Sequence, residues 1–148
     1  MKKKIIISVL LIIMIVTGCK NKVDDDKQII DNNKSEMIEL MKIIIDGREY
    51  NVHLENNETV SKFIKLLPQE LEMNELNGNE KYVYLDTKLP TNSYNPKHIN
   101  KGDVMLYGNN CLVIFYKSFD TSYSYTKIGF INDLPDLGEN NVLVKITR

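Results

Sequence analysis

The sequence predicts a mainly β domain in which about seven or eight short strands accompany a single clear helix. Three observations predict it: short β-branched or alternating runs recur along the chain, turn residues separate them, and only one segment has helical spacing. Many short strands with few helices are typical of a β-barrel or a β-sandwich. The residues from Met37 to Arg148 have the length of one such domain.

The first two strands are predicted as a hairpin. A β-branched run, Leu40 to Ile45, and an alternating run, Arg48 to Leu54, flank the dipeptide Asp46-Gly47. Asp-Gly between two such runs is a strong short-range hairpin signal. In the second strand Tyr50, Val52 and Leu54 should point to one face.

A short amphipathic helix is predicted between Glu55 and Leu67. Its apolar residues have the spacing i, i+3, i+4 and i+7, which places Val60, Phe63, Ile64 and Leu67 on one face. Asn57 is a suitable N-cap, and Pro68 should end the helix.

The rest of the domain is predicted to be strands joined by turns and one long loop. The predicted strands are Glu70–Met73, Lys81–Leu85, Asp103–Tyr107, Cys111–Tyr116, Tyr123–Ile131 and a last strand containing Val142, Val144 and Ile146. The loop runs from Lys88 to Gly102, and one helical turn is expected over Asp133–Leu137.

The N-terminus predicts a lipoprotein signal peptide over residues 1–18. Three lysines precede the run Ile5–Val16, which is apolar except for one serine. This run is shorter than the roughly 20 residues that a bilayer-spanning helix needs, so it fits a signal-peptide core. It ends in Val16-Thr17-Gly18-Cys19, which resembles a bacterial lipobox, so Cys19 should be diacylated. The alternative is an uncleaved anchor with an incidental cysteine.

Residues 19–36 are predicted to be the lipidated N-terminus and a flexible polar spacer. The segment from Lys20 to Glu36 has too few apolar residues to offset its ordering entropy. It should therefore hold the domain, residues 37–148, away from the extracytoplasmic face of the cell membrane.

Composition argues against several function classes. Removal of residues 1–18 would remove three lysines and change the formal charge from −1 to −4, so nucleic acid is not an expected partner. His53 and His98 are far apart and lack metal-ligand spacing, so no metal or cofactor is expected. Cys111 lies in an apolar run, where a free thiol usually acts as a small core side chain.

Four stretches resemble the bacterial cyclophilin-like fold proteins. They are ELNGNEKYVYL (Glu75–Leu85), LPTN (Leu89–Asn92), GDVMLYGNNCLVIFY (Gly102–Tyr116) and TSYSYTKIG (Thr121–Gly129). The resemblance extends from about Met41 to Ile146. It implies a cyclophilin-like closed β-barrel with one or two short capping helices, and it implies no established activity.

The resemblance also implies that the catalytic groups of true cyclophilins are missing. Neither Arg48 nor Arg148 lies near the strands where the cyclophilin arginine would sit. Phe115 retains the aromatic residue under the substrate proline, whereas Tyr125 replaces the pocket histidine. We therefore assign no catalytic residues.

A binding groove is the leading functional prediction. Tyr123 and Tyr125 share one face of their strand, and beside Phe115, with Tyr107 and Tyr84, they would form an aromatic groove for a peptide or small molecule. Alternatively, these tyrosines simply pack their rings and expose their hydroxyls. Glu72 and Glu80 could be groove acids or solvated charges. The alternative functions are a divergent peptidyl-prolyl isomerase that assists exported proteins and a structural role in an envelope complex.

Overall fold

A computed structural model describes residues 41–148 of the chain. The elements are β1 (Met41–Ile45), β2 (Arg48–Leu54), α1 (Glu58–Phe63), a 3-10 turn (Ile64–Leu66), β3 (Gln69–Leu76), β4 (Glu80–Tyr84), β5 (His98–Ile99), β6 (Asp103–Tyr107), β7 (Cys111–Phe115), β8 (Phe119–Asp120), β9 (Tyr125–Ile131) and β10 (Val142–Thr147). The predicted signal peptide, Cys19 and the spacer lie outside the described residues.

Eight of these strands close into an antiparallel barrel. Their order around the barrel is β1-β10-β3-β4-β7-β6-β9-β2, and β1 closes the circle because it pairs with both β10 and β2. Strands β5 and β8 form a separate two-stranded sheet. The prediction of a mainly β, closed barrel with a short helix is confirmed.

The barrel interior is one apolar core, capped by the helix. Alternate residues of β1 and β2 point inward, among them Ile43 and Val52, which are almost fully buried. Helix α1 adds Val60 and Phe63 to the same core. The predicted N-cap is confirmed, since the backbone N–H of Val60 donates to the Asn57 side-chain oxygen at 2.9 Å.

A second, smaller core lies on the outside of the barrel. Strand β7 is buried on both faces: Leu112 and Ile114 belong to the barrel interior, whereas Cys111, Val113 and Phe115 belong to the outer cluster. The other buried members of the outer cluster are Ile99, Met105 and Tyr125, with Tyr82 and Phe119 packed against them. The β5–β8 sheet supplies Ile99 and Phe119, so it covers part of this outer face.

The structure corrects four details of the sequence prediction. Residues 133–137 contain no helix, because Asp133 has a left-handed φ of 53° and Pro135 has no N–H to donate. The strand predicted from Tyr123 begins at Tyr125, and β3 extends to Leu76 instead of ending at Met73. The short strands β5 and β8 were not predicted.

Residues 41–148 belong to one compact unit, and both apolar cores consist of these residues. A domain that contains its own cores can fold independently. A fragment from Met37 to Arg148 therefore contains the whole barrel. Within residues 41–148, no helix has the length and hydropathy needed to span a bilayer.

Candidate functional site

A pocket of about 310 Å³ opens on the outer face of the barrel, above the second core. We call it the tyrosine pocket, because five tyrosines are among the residues that line it. The lining residues are Leu76, Asn77, Asn79, Glu80, Tyr82, Tyr84, Tyr107, Cys111, Val113, Phe119, Tyr123 and Tyr125.

Strand register brings the tyrosines together from distant parts of the sequence. Tyr84 of β4 pairs with Cys111 of β7, Cys111 with Tyr107 of β6, and Tyr107 with Tyr125 of β9. Directly paired residues of adjacent strands share a face, so these four side chains form a row across the sheet. Tyr123 precedes β9 and sets its ring edge-on to Tyr107 at a centroid distance of 6.1 Å.

Four of the five predicted groove residues line the pocket. Tyr84, Tyr107 and Tyr123 form its exposed rim, with exposed fractions of 64%, 45% and 61%. Tyr125 is buried and forms part of the floor.

Phe115, the fifth predicted residue, lies beneath the floor and does not line the pocket. It is fully buried, with its ring 5.5 Å from Tyr125 in an edge-to-face arrangement and 5.6 Å from Phe119. Phe115 therefore supports the floor from below.

Glu80 is the charged residue of the pocket. It alternates with Tyr82 and Tyr84 along β4, which places the three side chains on the same face. Burial, with a smaller contribution from the neighbouring carboxylate of Glu75, raises the pKa of Glu80 to about 7. Glu72, the other acid considered from the sequence, is exposed on β3 and is not a lining residue.

Two hydrogen bonds hold the Glu75 carboxylate near the end of the barrel. The Tyr116 hydroxyl donates to its Oε1 at 3.1 Å, and the Gly78 N–H donates to the same oxygen. Nearby, the buried Lys81 ammonium lies 4.8 Å from the centroid of the Tyr116 ring and donates to the carbonyl oxygens of Gly138 and Asn140. Lys81 is directed away from the outer face, so its ammonium group contacts residues at the end of the barrel and does not line the pocket.

A comparison with protein-family models matches residues 43–147 to the model described as the Cyclophilin-like family. The chain belongs to the Cyclophilin-like family. The match includes all residues that line the tyrosine pocket. Comparisons with curated proteins and with solved structures give no match.

The thiol of this cyclophilin-like protein is not a strong nucleophile. Burial, with the Glu80 carboxylate as a smaller cause, raises the pKa of Cys111 to about 11. Because the thiolate is the reactive form, a thiol with this pKa is almost entirely protonated at neutral pH. Cys111 therefore contributes a small apolar surface to the pocket.

The arginines and histidines of this cyclophilin-like protein lie elsewhere. Arg48 lies over the ring of Tyr50 at 5.3 Å, and Arg148 donates to the carbonyl oxygen of Ile64. His53 stacks on Phe130, and His98 contacts Asp120 at 2.6 Å. None of the four lines the tyrosine pocket. The part of the chain that the structure describes also contains no cluster of three or more potential metal ligands from His, Cys, Asp and Glu.

Sequence reasoning had no signal for Asn77 and Asn79 as pocket residues. Both belong to the turn between β3 and β4, where Asn is common for its own backbone reasons. Their place in the wall follows from the way this turn sits beside Tyr116, whose N–H donates to the Asn79 carbonyl oxygen at 3.0 Å. That contact joins residues that are remote in sequence and is not visible in a local pattern.

Proposed function

We propose that this protein is a lipid-anchored binding module that holds a peptide segment or a small molecule in the tyrosine pocket. The observation that carries the proposal is the convergence of five tyrosines on one concave site. Pockets of about 300–1,000 Å³ with aromatic walls and a few polar groups are typical of ligand sites. Tyrosine is also a favoured anchor in interfaces, since its ring buries a large area while its hydroxyl can hydrogen-bond.

The residues of the pocket favour binding over nucleophilic catalysis. The thiol is protonated, and the lining residues include no histidine, lysine or arginine. Nucleophilic catalysis needs an activated nucleophile beside a positioned base, and the protonated Cys111 thiol does not meet this need. Three rim tyrosines that remain exposed instead offer an apolar surface that a bound partner could cover.

Sequence supports the lipid anchor of the proposal. Lysines, a short apolar run and Cys19 follow one another as in a lipoprotein leader. In the bacterium that carries the protein, the full chain should incorporate labelled palmitate and fractionate with membranes. Cys19→Ser should abolish the label and leave unprocessed precursor. Cys111→Ser should instead keep both the label and normal processing. Labelling of Cys19→Ser equal to that of the wild type would contradict the anchor.

A screen with matched variants tests the binding function. The fragment Met37–Arg148 would be screened against short peptides and small molecules by ligand-observed NMR. Tyr84→Ala removes a rim ring that is largely exposed, so the fold should tolerate it, and ligands should bind about fivefold more weakly because an aromatic contact of about 1 kcal/mol is lost.

Tyr94→Ala is the matched control for this screen. Tyr94 is also an exposed tyrosine, but it does not line the pocket. Ligand affinity should therefore be unchanged in Tyr94→Ala. Failure to find any ligand, or equal losses in the two variants, would count against the tyrosine pocket as a binding site.

A divergent peptidyl-prolyl isomerase is the second candidate. It is favoured by family membership and by Phe115, the aromatic residue that the sequence resemblance aligns with the proline floor. However, Phe115 is fully buried beneath Tyr125, and no arginine lines the pocket. We expect the fragment to give no isomerisation of a proline peptide above background. Catalysis that Tyr84→Ala reduces and Tyr94→Ala does not would instead make the enzyme function the leading one.

A further inference from the structure

We infer that the tyrosine pocket takes an alkylammonium group, such as the side chain of a lysine, with the Glu80 carboxylate as its counter-charge. The inference rests on the proposed binding function and names the chemistry of the ligand. Four features of the pocket carry it: the sign of its charge, the absence of a cation of the described residues over its rings, its unsatisfied acceptors and its size.

The charge of the pocket has a single sign. Of its lining residues only Glu80 is ionisable as an acid or base near neutral pH, and Glu75 adds a second carboxylate behind it. Glu80 forms no ion pair or hydrogen bond with the side chain of another described residue. A carboxylate without a cation partner in a half-buried site favours a cationic ligand and opposes an anionic one.

The pocket tyrosines contact one another but have no cation of the described residues over their rings. Elsewhere the protein places its own cations over aromatic rings, with Lys81 4.8 Å and Lys117 5.5 Å from the centroid of Tyr116. Among residues 41–148, no lysine or arginine is placed in this way over a ring of the tyrosine pocket. A ring face attracts a cation through its quadrupole, and several rings around one carboxylate form a site of the kind that binds ammonium groups.

Asn79 adds an acceptor to the same wall. Its side-chain oxygen is buried and has no hydrogen-bond partner among the described residues. Buried polar atoms are normally satisfied, so an orphaned acceptor on the lining residue that precedes Glu80 favours a ligand that donates hydrogen bonds. An alkylammonium group has three donors and no acceptor.

The size and polarity of the tyrosine pocket fit an ammonium group on an apolar stem better than a bare metal ion. A lysine stem would be covered by Val113, Cys111 and the tyrosine rings, while its head would meet Glu80. One carboxylate falls short of the several oxygen ligands that a hard cation needs. The pocket therefore suits an organic cation.

The binding should depend on pH through Glu80. Its pKa of about 7 means that the free pocket is only partly ionised at neutral pH, and a bound cation stabilises the ionised form. The titratable groups that face Glu80 are Glu75 from β3, Cys111 from β7 and Tyr125 from β9. Burial raises the pKa of the Cys111 thiol and of the Tyr125 hydroxyl, so both remain neutral between pH 6 and pH 8.

Matched tripeptides test the inference. The fragment Met37–Arg148 would be titrated with acetyl-Gly-Lys-Gly-amide, with the same peptide carrying norleucine in place of lysine, and with free pentylamine, while backbone amide shifts are recorded. Norleucine keeps the stem and removes the charge. We expect the lysine peptide to shift pocket amides and to bind at least about tenfold more tightly than the norleucine peptide. The pentylamine titration distinguishes the two sources of an ammonium group. If the natural ligand is a peptide side chain, the lysine peptide should bind more tightly than pentylamine. If it is a free amine, pentylamine should bind as well as the peptide.

Variants and pH identify the counter-charge. Glu80→Gln should weaken the lysine peptide about tenfold and leave the norleucine peptide unchanged, whereas Glu72→Gln, on an exposed site outside the pocket, should change neither. Affinity of the wild type for the lysine peptide should rise roughly fivefold from pH 6 to pH 8, because lysine stays charged while Glu80 ionises. Glu80→Gln should lose this rise.

The two proposals fail in distinguishable ways. If the norleucine peptide binds the pocket as tightly as the lysine peptide, or if the lysine peptide does not bind while other compounds bind in a Tyr84-dependent manner, the ammonium inference is overturned and the binding function stands. If no compound binds at the pocket, both are overturned.

Discussion

Replacing Phe115 by alanine should lower the free energy of unfolding of the domain by about 3–5 kcal/mol, the range for truncating a fully buried phenylalanine. Phe115 is 0% exposed and contacts the rings of Tyr125 and Phe119. Its removal leaves a cavity beneath the floor of the tyrosine pocket, which the close-packed outer core cannot fill without moving Tyr125. Urea denaturation of the fragment, followed by far-UV circular dichroism, measures the loss.

Phe130 provides the control for this substitution. Phe130 is 39% exposed and stacks on His53, so Phe130→Ala should cost about 1 kcal/mol or less. A loss below 1 kcal/mol for Phe115→Ala would mean that the outer core is not packed as described. A loss large enough to leave the variant unfolded would agree with the prediction, and Phe115→Leu would then give a smaller, measurable loss.

Glu80→Gln should stabilise the domain at pH 8 and have little effect at pH 4. The folded-state pKa of Glu80 is raised from 4.5 to about 7, so the folded protein binds more protons than the unfolded chain between these values. Stability contributed by protonated Glu80 is therefore fully present below pH 4.5 and is lost as the pH rises through about 7. After a discount for solvent screening at this half-buried site, the gain from Glu80→Gln at pH 8 should be about 1–2 kcal/mol.

Thermal and urea unfolding at the two pH values measure this difference. Glu72→Gln is the control, because it removes a carboxylate of the same net charge from an exposed position on the adjacent strand. If Glu72→Gln gave the same gain at pH 8, the cause would be the net charge of the domain and not burial of Glu80. A Glu80→Gln variant that is less stable than the wild type at pH 8 would show that the carboxylate has a stabilising partner in solution.

Local patterns in the sequence were sufficient for most elements of the barrel. The Asp46-Gly47 turn, the Asn57 cap and the apolar run from Cys111 each identify an element from neighbouring residues alone. The prediction of a helical turn over Asp133–Leu137 was wrong because the segment contains a proline and the backbone adopts a left-handed conformation at Asp133. Strands β5 and β8 have two residues each, which is too short for any period to appear.

The candidate site was only partly predictable, because its geometry depends on which strands are neighbours. Tyr84 and Tyr125 are remote from each other in the sequence. The pairing of β4 with β7, β7 with β6 and β6 with β9 brings them onto one face. The aromatic residues could be nominated from their strand faces. The position of Phe115 below the floor could not be predicted from the sequence, because it depends on the β5–β8 sheet that covers this face.

Glu80 shows the same limit for electrostatics. Its alternation with Tyr82 and Tyr84 places it on the pocket face, yet a glutamate on a strand of a charged protein is usually solvated. What distinguishes it is burial together with the approach of Glu75 from β3. Both depend on tertiary packing.

Chemical-shift mapping of a ligand from the screen tests the central claim most directly. The fragment Met37–Arg148 would be labelled with ¹⁵N and titrated with the tightest ligand found. We expect the largest amide shifts at Glu80, Tyr82, Tyr107, Cys111 and Tyr125, across the four strands that carry the tyrosine pocket. Shifts centred on another surface, such as the shallow depression between Ile44 and Leu143, would contradict the tyrosine pocket as the binding site.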